Sequence, residues 1–98
     1  MKEITKLEEI EKTNSLLKVG TGFCGPCKLV EENLKQLESE YPGIEFYLVD
    51  AEEAEDLVEE LGIRNVPTLI RYQSGHEVAR RVGMATPEQL REFIEGVE

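Results

Sequence analysis

The sequence predicts an α/β protein with a central mixed β-sheet of about five strands, flanked by about four helices. Apolar runs typical of buried strands alternate with segments whose apolar residues recur every three or four positions, as on one face of a helix. Near the end, two strand-like runs follow one another and predict an antiparallel hairpin beside otherwise parallel strands. Residues 1–98 are expected to form one domain with one hydrophobic core.

The first part of the chain is predicted to contain two strands, a brief helix and a long helix. Residues 3–6 are expected to form a short edge strand, and residues 7–10 a brief amphipathic helix. Residues 14–21 predict a buried strand, and the helix after it runs to about Tyr41, where Pro42-Gly43 stops it. The apolar face of that helix comprises Cys27, Val30, Leu34, Leu37 and Tyr41.

The middle of the chain is predicted to add a strand and a helix. Residues 44–49 are rich in aromatic and aliphatic side chains, which indicates a second buried strand. Asp50 and Glu53 have the spacing of a capping box, with an acidic cap and a Glu three residues later. The helix that follows is expected to end at Gly62. Its apolar face comprises Ala54, Leu57, Val58 and Leu61.

The last part of the chain is predicted to form a hairpin and a helix. Residues 68–73 and 77–82 are the two strands, joined by a tight turn at Ser74-Gly75. Thr86 is expected to cap the final helix and to form a capping box with Gln89, with a proline at the first helical position. The buried stripe of this helix comprises Leu90, Phe93, Ile94 and Val97.

Charge and composition argue against several classes of function. A formal net charge of −10 argues against binding nucleic acid, whose phosphates call for clustered Lys and Arg. No apolar run approaches the length of a membrane span, and Glu8, Glu9 and Glu11 lie where a signal peptide would need apolar residues. We therefore expect a cytoplasmic protein without membrane contact. In that reducing compartment, a close cysteine pair indicates catalysis or metal binding rather than a structural crosslink.

Both cysteines lie at the predicted junction between a strand and the long helix. Cys24 and Cys27 have C-x-x-C spacing, with Gly25 and Pro26 between them. The first turn of a helix leaves backbone N–H groups unpaired and carries a partial positive charge. A thiolate is stabilised there, and the thiolate is the reactive form of cysteine. The pair is therefore a candidate redox centre.

A single C-x-x-C pair can also supply half of a zinc site. Four ligands within one chain would require a carboxylate or a partner chain, because the sequence has only two cysteines and one histidine, His76. His76 is predicted to lie in a hairpin turn far along the chain, where an exposed histidine without a catalytic role is the simpler interpretation. We therefore expect no metal at the cysteine pair.

The chain resembles the thioredoxin family. The resemblance covers nearly the whole chain in the right order, and it depends on the segments Phe23-Cys24-Gly25-Pro26-Cys27-Lys28 and Ile63-Arg64-Asn65-Val66-Pro67-Thr68 and on Gly83 after the hairpin. It implies the thioredoxin fold and a thiol-disulfide oxidoreductase that reduces protein disulfides without a bound cofactor. It also implies a thioredoxin reductase as the partner that supplies electrons. We expect the protein to act as a monomer.

The resemblance implies roles for individual residues. Cys24, nearer the solvent, is expected to attack a substrate disulfide, and Cys27 is expected to resolve the mixed disulfide that results. The active-site turn around them comprises Phe23, Gly25 and Pro26. The proline that matches Pro67 is cis in the family and lies against the cysteines. The apolar groove that receives the substrate is expected to comprise Val66, Pro67, Thr68, Gly75, Gly83 and Met84.

Two of the departures from the family bear on the chemistry of the cysteines. Phe23 replaces the usual tryptophan, and we expect it to keep the apolar packing role while losing the indole N–H. Lys18 replaces a buried aspartate that is thought to relay a proton to the resolving cysteine. Lys18 is either a functional replacement that acts on Cys27, or a structural lysine that reaches the surface or pairs with a neighbouring carboxylate.

A second class of function stays open at this point. The same fold can serve as a protein-binding module in which a groove beside Pro67 holds a partner and redox activity is incidental. The loss of the usual tryptophan and aspartate favours this alternative. The intact Cys-Gly-Pro-Cys segment argues against it, since a binding module needs no two reactive thiols at the start of a helix.

Overall fold

A five-stranded mixed sheet forms the centre of the structure, a computed structural model that describes residues 1–10 and 14–96. The strands are Lys2–Glu3 (β1), Ser15–Gly20 (β2), Glu45–Asp50 (β3), Thr68–Gln73 (β4) and His76–Val82 (β5). Their order across the sheet is β1-β3-β2-β4-β5. β1 and β2 run parallel to β3, whereas β4 runs antiparallel to β2 and β5. The predicted mixed sheet with a closing hairpin is confirmed.

Three α-helices are present in the described part of the chain, rather than the four expected. They are Gly25–Leu37 (α1), Glu55–Leu61 (α2) and Pro87–Glu95 (α3). The brief helix expected over residues 7–10 is a single 3₁₀ turn, Leu7–Glu9, since so short and polar a segment cannot repay the cost of starting an α-helix. A second 3₁₀ turn, Glu38–Glu40, extends α1 toward Tyr41. No helix in the described ranges combines the length and apolar character needed to cross a bilayer.

The two capping boxes predicted from the sequence have different outcomes. In α3, Gln89 donates its backbone N–H to Thr86 Oγ1 at 3.2 Å, and Gln89 Oε1 accepts from the Thr86 N–H at 2.9 Å, as predicted. The box at Asp50 is wrong, because α2 begins only after Ala54. Asp50 still pairs with β2 in the sheet, and its Oδ1 accepts from the Glu52 N–H at 2.9 Å in a turn.

Two apolar layers cover the two faces of the sheet. The layer beneath α2 comprises Ile4, Ile10, Leu17, Val19, Tyr47, Val49, Ala54, Leu57, Ile70 and Tyr72. The layer beneath α1 and α3 comprises Leu16, Val30, Leu34, Leu37, Phe46, Leu69, Ala85, Leu90 and Ile94. Val97, predicted to join the stripe of α3, lies outside the described residues. Because neighbouring strand residues point to opposite faces, Lys18, between Leu17 and Val19, points toward α1.

Candidate active site

The two cysteines lie where α1 begins. Cys24 is the residue before the first helical position, and Cys27 is in the first turn. They form a disulfide, with Cα atoms 5.2 Å apart. The backbone N–H of Cys27 donates to Cys24 Sγ at 3.1 Å. Pro26 occupies the first turn, where its missing N–H leaves no hydrogen bond unmade. The start of the helix therefore presents a backbone donor to the Cys24 sulfur.

The two sulfurs differ in access to solvent. Cys27 is 0% exposed, whereas Cys24 is partly exposed. Gly25 and Pro26, between them, are exposed. A molecule arriving from solution therefore meets Cys24 first, as the resemblance implied, and the buried Cys27 is shielded from it.

The segment before β4 reaches the same end of the sheet as the cysteines. The Val66–Pro67 peptide bond is cis, as the resemblance implied. Thr68 begins β4 and pairs with Val19 near the end of β2. Gly83 donates its N–H to the Pro67 carbonyl at 2.9 Å, with a φ of 100° that favours glycine. The structure thus groups Val66, Pro67, Thr68, Gly83 and the exposed Met84, which follows in the chain.

Hydrogen bonds from Thr68 and from Asn33 hold these segments. Thr68 Oγ1 donates to the Asn65 carbonyl at 2.6 Å, which closes the chain just before the cis proline. Asn33, on α1, donates from Nδ2 to the Ala85 carbonyl at 3.1 Å and so ties the segment after β5 to the helix that carries the cysteines. Asn33 was not predicted from the sequence, because it lies 52 positions from Ala85 and no local pattern indicates their contact.

Gly75 and His76 lie at the opposite end of the hairpin. Gly75, with a φ of 80°, is in the turn where Gln73 pairs with His76. Pro67 precedes the other end of β4, so about 16 Å of strand separates it from this turn. The expectation that Gly75 lines the groove is therefore corrected: its positive φ serves the hairpin. His76 is exposed and equally far from the cysteines.

Phe23 does not take the packing role expected from the sequence. Its side chain is 93% exposed, beside the partly exposed Cys24. An aromatic ring that is packed on the core loses most of its exposure, so Phe23 contributes surface rather than core. With Met84, which is 44% exposed, it adds apolar surface at this end of the molecule.

Lys18 is buried and paired. The residue is 5% exposed, and its Nζ lies 3.4 Å from Glu31 Oε1 on α1. The other carboxylate oxygen of Glu31 forms a second ion pair, with Lys35 one turn further along the helix, at a distance of 3.2 Å from Lys35 Nζ. Of the two structural alternatives, pairing with a carboxylate is therefore the one observed. Glu31 itself was not predicted, although its place one turn after Cys27 on the helix facing β2 is the signal that could have identified it.

The environment of Glu31 favours its charged form. Partial burial acts to raise the pKa of Glu31, but the hydrogen bond from Lys35 and then the charge of Lys18 outweigh burial, and the pKa lies below its ordinary range. Glu31 is therefore a carboxylate at neutral pH, shared between a buried and an exposed lysine.

Comparisons with known proteins agree with this geometry. The Thioredoxin family model matches residues 2–96. Over 85 residues the chain is 35% identical to Thioredoxin C-2 of Corynebacterium nephridii, a match that covers 86% of this chain and 79% of the relative. Over 72 residues it is 33% identical to Thioredoxin-1 of Saccharomyces cerevisiae, covering 74% of this chain and 69% of the relative.

Solved structures show the same likeness. Mitochondrial thioredoxin 3 from Saccharomyces cerevisiae, in its oxidised form, superposes with a TM-score of 0.88 at 25% identity, over 99% of this chain and 95% of that one. Fasciola hepatica thioredoxin gives a TM-score of 0.87 at 25% identity over 100% of both chains. With its disulfide-forming pair at the start of α1, the protein is a thiol-disulfide oxidoreductase that belongs to the thioredoxin family.

Proposed function

We propose that this protein reduces disulfides in other proteins through a dithiol-disulfide cycle of Cys24 and Cys27. The observation that carries the proposal is the asymmetry of the pair. Cys24 is partly exposed and accepts a backbone N–H at the start of a helix, which favours its thiolate, and Cys27 is buried behind it. An attacking sulfur must be reachable, and a resolving sulfur must be shielded from other partners.

The chemistry proceeds in two exchanges. The Cys24 thiolate attacks one sulfur of the substrate disulfide, that S–S bond breaks, and the other substrate sulfur leaves as a thiolate. Cys27 then gives up its proton and attacks Cys24 Sγ, which breaks the mixed disulfide and releases the second substrate sulfur. The substrate gains two electrons, and the Cys24–Cys27 disulfide holds the oxidation.

The surface beside the cysteines supports a peptide substrate. We propose that Val66, Pro67, Gly83 and Met84 line the groove that receives it, with the buried Thr68 beneath them, because the hydrogen bond between Gly83 and Pro67 holds these two segments together at the cysteine end of the sheet. Phe23 adds an exposed aromatic ring at the same end. Apolar surface of this kind suits the unfolded or extended segment that carries an accessible disulfide.

The cycle needs a source of electrons, and we propose a thioredoxin reductase as the partner that returns the disulfide to the dithiol. Family membership supports this partner. We also propose that the protein acts as a monomer in the cytoplasm, where disulfide reduction can be sustained. Turnover of a protein disulfide that continues only while a thioredoxin reductase and its electron donor are present would support the pairing. Turnover that proceeds equally well with glutathione alone would contradict it.

Two serine variants test the proposed roles. Cys27→Ser leaves the attacking thiol but removes the resolving one, so it should accumulate mixed disulfides with a disulfide-containing protein, detected by non-reducing electrophoresis. Cys24→Ser should accumulate far fewer, because its remaining thiol is buried. A binding module would hold its partner equally well in both variants and form no covalent adduct, which would overturn the proposal.

A further inference from the structure

The buried ammonium of Lys18 lies beside the sulfur of Cys27. A Cβ atom placed on Gly20 would lie 2.7 Å from Lys18 Nζ and 3.1 Å from Cys27 Sγ. The ammonium and the sulfur are therefore separated by no more than the sum of those distances. At that range an opposite charge favours a thiolate strongly, because both groups are shielded from solvent.

Gly20 provides the space in which the two groups meet. Any larger residue at this position would place its Cβ within 3.1 Å of the Cβ and Sγ atoms of Cys27 as well as against the lysine. Gly20 is the last residue of β2 and has no positive φ, so backbone conformation does not explain the glycine. The absence of a side chain here lets a lysine on the strand approach the resolving cysteine on the helix.

The charged groups at this end of the sheet come from four elements. Lys18 comes from β2, and Glu31 and Lys28 come from α1. Together with Glu3 on β1 and Asp50 on β3, they are the charged residues among those that line a cleft of about 210 Å³, which opens to solvent. Of these groups, Lys18 is the one that lies at the sulfur and is itself buried.

We propose that the Lys18 ammonium stabilises the thiolate of Cys27 during the resolving step. Glu31 is a positioning residue: it holds the ammonium while the disulfide is closed, and it competes with the sulfur for the ammonium when the thiolate forms. The proton that Cys27 loses is released to solvent. This inference deepens the proposed function and rests on it for the resolving role of Cys27.

Lys35 lowers the energy needed for Lys18 to turn from Glu31 toward the sulfur. Glu31 keeps Lys35 as a partner when Lys18 turns toward the sulfur, so no carboxylate is left unpaired. The arrangement has a consequence that a purely structural ion pair lacks. Removing Lys18 should disfavour the Cys27 thiolate, whereas removing the negative charge of Glu31 should leave the whole ammonium to the sulfur and favour the thiolate.

The test is a titration of Cys27 alone, in a Cys24→Ser background, followed by ultraviolet thiolate absorbance. Lys18→Met should raise the midpoint by at least about one pH unit. Glu31→Gln should lower it by a smaller amount. Glu32→Gln removes the same charge from the next, exposed residue of α1 and should leave the midpoint where it was. Circular dichroism of each variant identifies any that has lost the fold.

Opposite shifts for Lys18→Met and Glu31→Gln support the proposal, because structural damage would move both midpoints in the same direction. Equal midpoints in all variants, or shifts of the same sign, overturn it. If Lys18→Met does not fold, Glu31→Gln alone is decisive: a lowered midpoint supports the proposal, and an unchanged or raised one overturns it. Reduction of a protein disulfide by the wild type, assayed in parallel, separates the two claims. If the wild type is active while the midpoints do not move, only this inference fails; if the wild type is inactive, the proposed function fails.

Discussion

Two positively charged side chains in the described part of the chain are buried on the same face of the sheet, near opposite ends of its strands. Lys18 on β2 and Arg71 on β4 are 5% and 3% exposed. The strand register places Lys18 beside Leu69 and Arg71 beside Leu16, both members of the layer beneath α1 and α3. Lys18 is therefore at the cysteine end of this layer, and Arg71 is at the other end.

The partners of the two cations explain the difference. Arg71 Nη1 donates to the Ser15 carbonyl at 3.1 Å, to the Tyr72 carbonyl at 2.8 Å and to Asn14 Oδ1. All three are neutral oxygens: two are strand carbonyls, and the third belongs to the side chain just before β2. Lys18 instead faces a carboxylate that has a second partner, and a sulfur whose charge changes. A buried cation held by the backbone supports structure, whereas one held by an exchangeable partner can take part in chemistry.

The largest expected effect on stability is at Arg71. Arg71→Met should lower the free energy of unfolding by about 3 kcal/mol, because buried carbonyl oxygens lose their donor. Lys18→Met should cost less than about 1 kcal/mol, since it removes a buried charge and leaves Glu31 paired with Lys35. Urea denaturation of both variants measures the difference. A larger loss for Lys18→Met than for Arg71→Met would mean that the lysine is the structural cation.

A methyl group at Gly20 should have an intermediate effect. Gly20→Ala overpacks the space shared by Lys18 and Cys27, and we expect a loss of about 1–2 kcal/mol in the free energy of unfolding. The flexible end of the lysine should move away from the sulfur, so the Cys27 thiol should titrate at a higher pH than in the wild type. Urea denaturation measures the loss of stability, and ultraviolet thiolate absorbance measures the titration of Cys27. Alanine at Gly22, where a Cβ meets nothing within 4 Å, is the matched control.

The smallest expected effect is on acid stability. Because the folded-state pKa of Glu31 is lowered, its ion pairs contribute stability that is present above the ordinary glutamate pKa and is lost as the pH falls through the lowered value. Glu31→Gln should therefore lose less stability than the wild type between neutral and acidic pH, while Glu32→Gln should follow the wild type. Denaturant midpoints at several pH values measure this, and identical pH profiles for the wild type and Glu31→Gln would contradict it.

The fold could be predicted from the sequence because local patterns and long-range packing agree along most of it. Apolar patterns located α1 and the strands β2, β3, β4 and β5, and the capping box of Thr86 and Gln89 forms as its sequence indicates. The edge strand expected over residues 3–6 is instead Lys2–Glu3, because so short and polar a segment carries little pattern. The same pattern at Asp50 failed because sheet pairing keeps that residue in β3. Gly75 was misplaced because a resemblance assigns a residue type to a groove, whereas the hairpin register decides at which end that residue lies.

The candidate site was predictable only in part. The position of Cys24 and Cys27 follows from the junction between strand and helix, but the environment of Lys18 depends on residues brought together by folding. Glu31 lies 13 positions from Lys18 in the sequence. Gly20 contributes by having no side chain, which leaves room for Lys18 beside Cys27. The exposure of Phe23 likewise depends on the positions of neighbouring segments in the folded protein, which its own sequence neighbours do not determine.

The most direct test of this comparison is the pH dependence of the resolving step in the wild type, Lys18→Met and Arg71→Met. A mixed disulfide between Cys24 and a chromophoric thiol is prepared in each protein, and release of the thiol is followed in single turnover. We predict that the midpoint of the rate rises in Lys18→Met and stays at the wild-type value in Arg71→Met. Equal midpoints in the three proteins would show that the lysine beside Cys27 is, like the arginine, only structural.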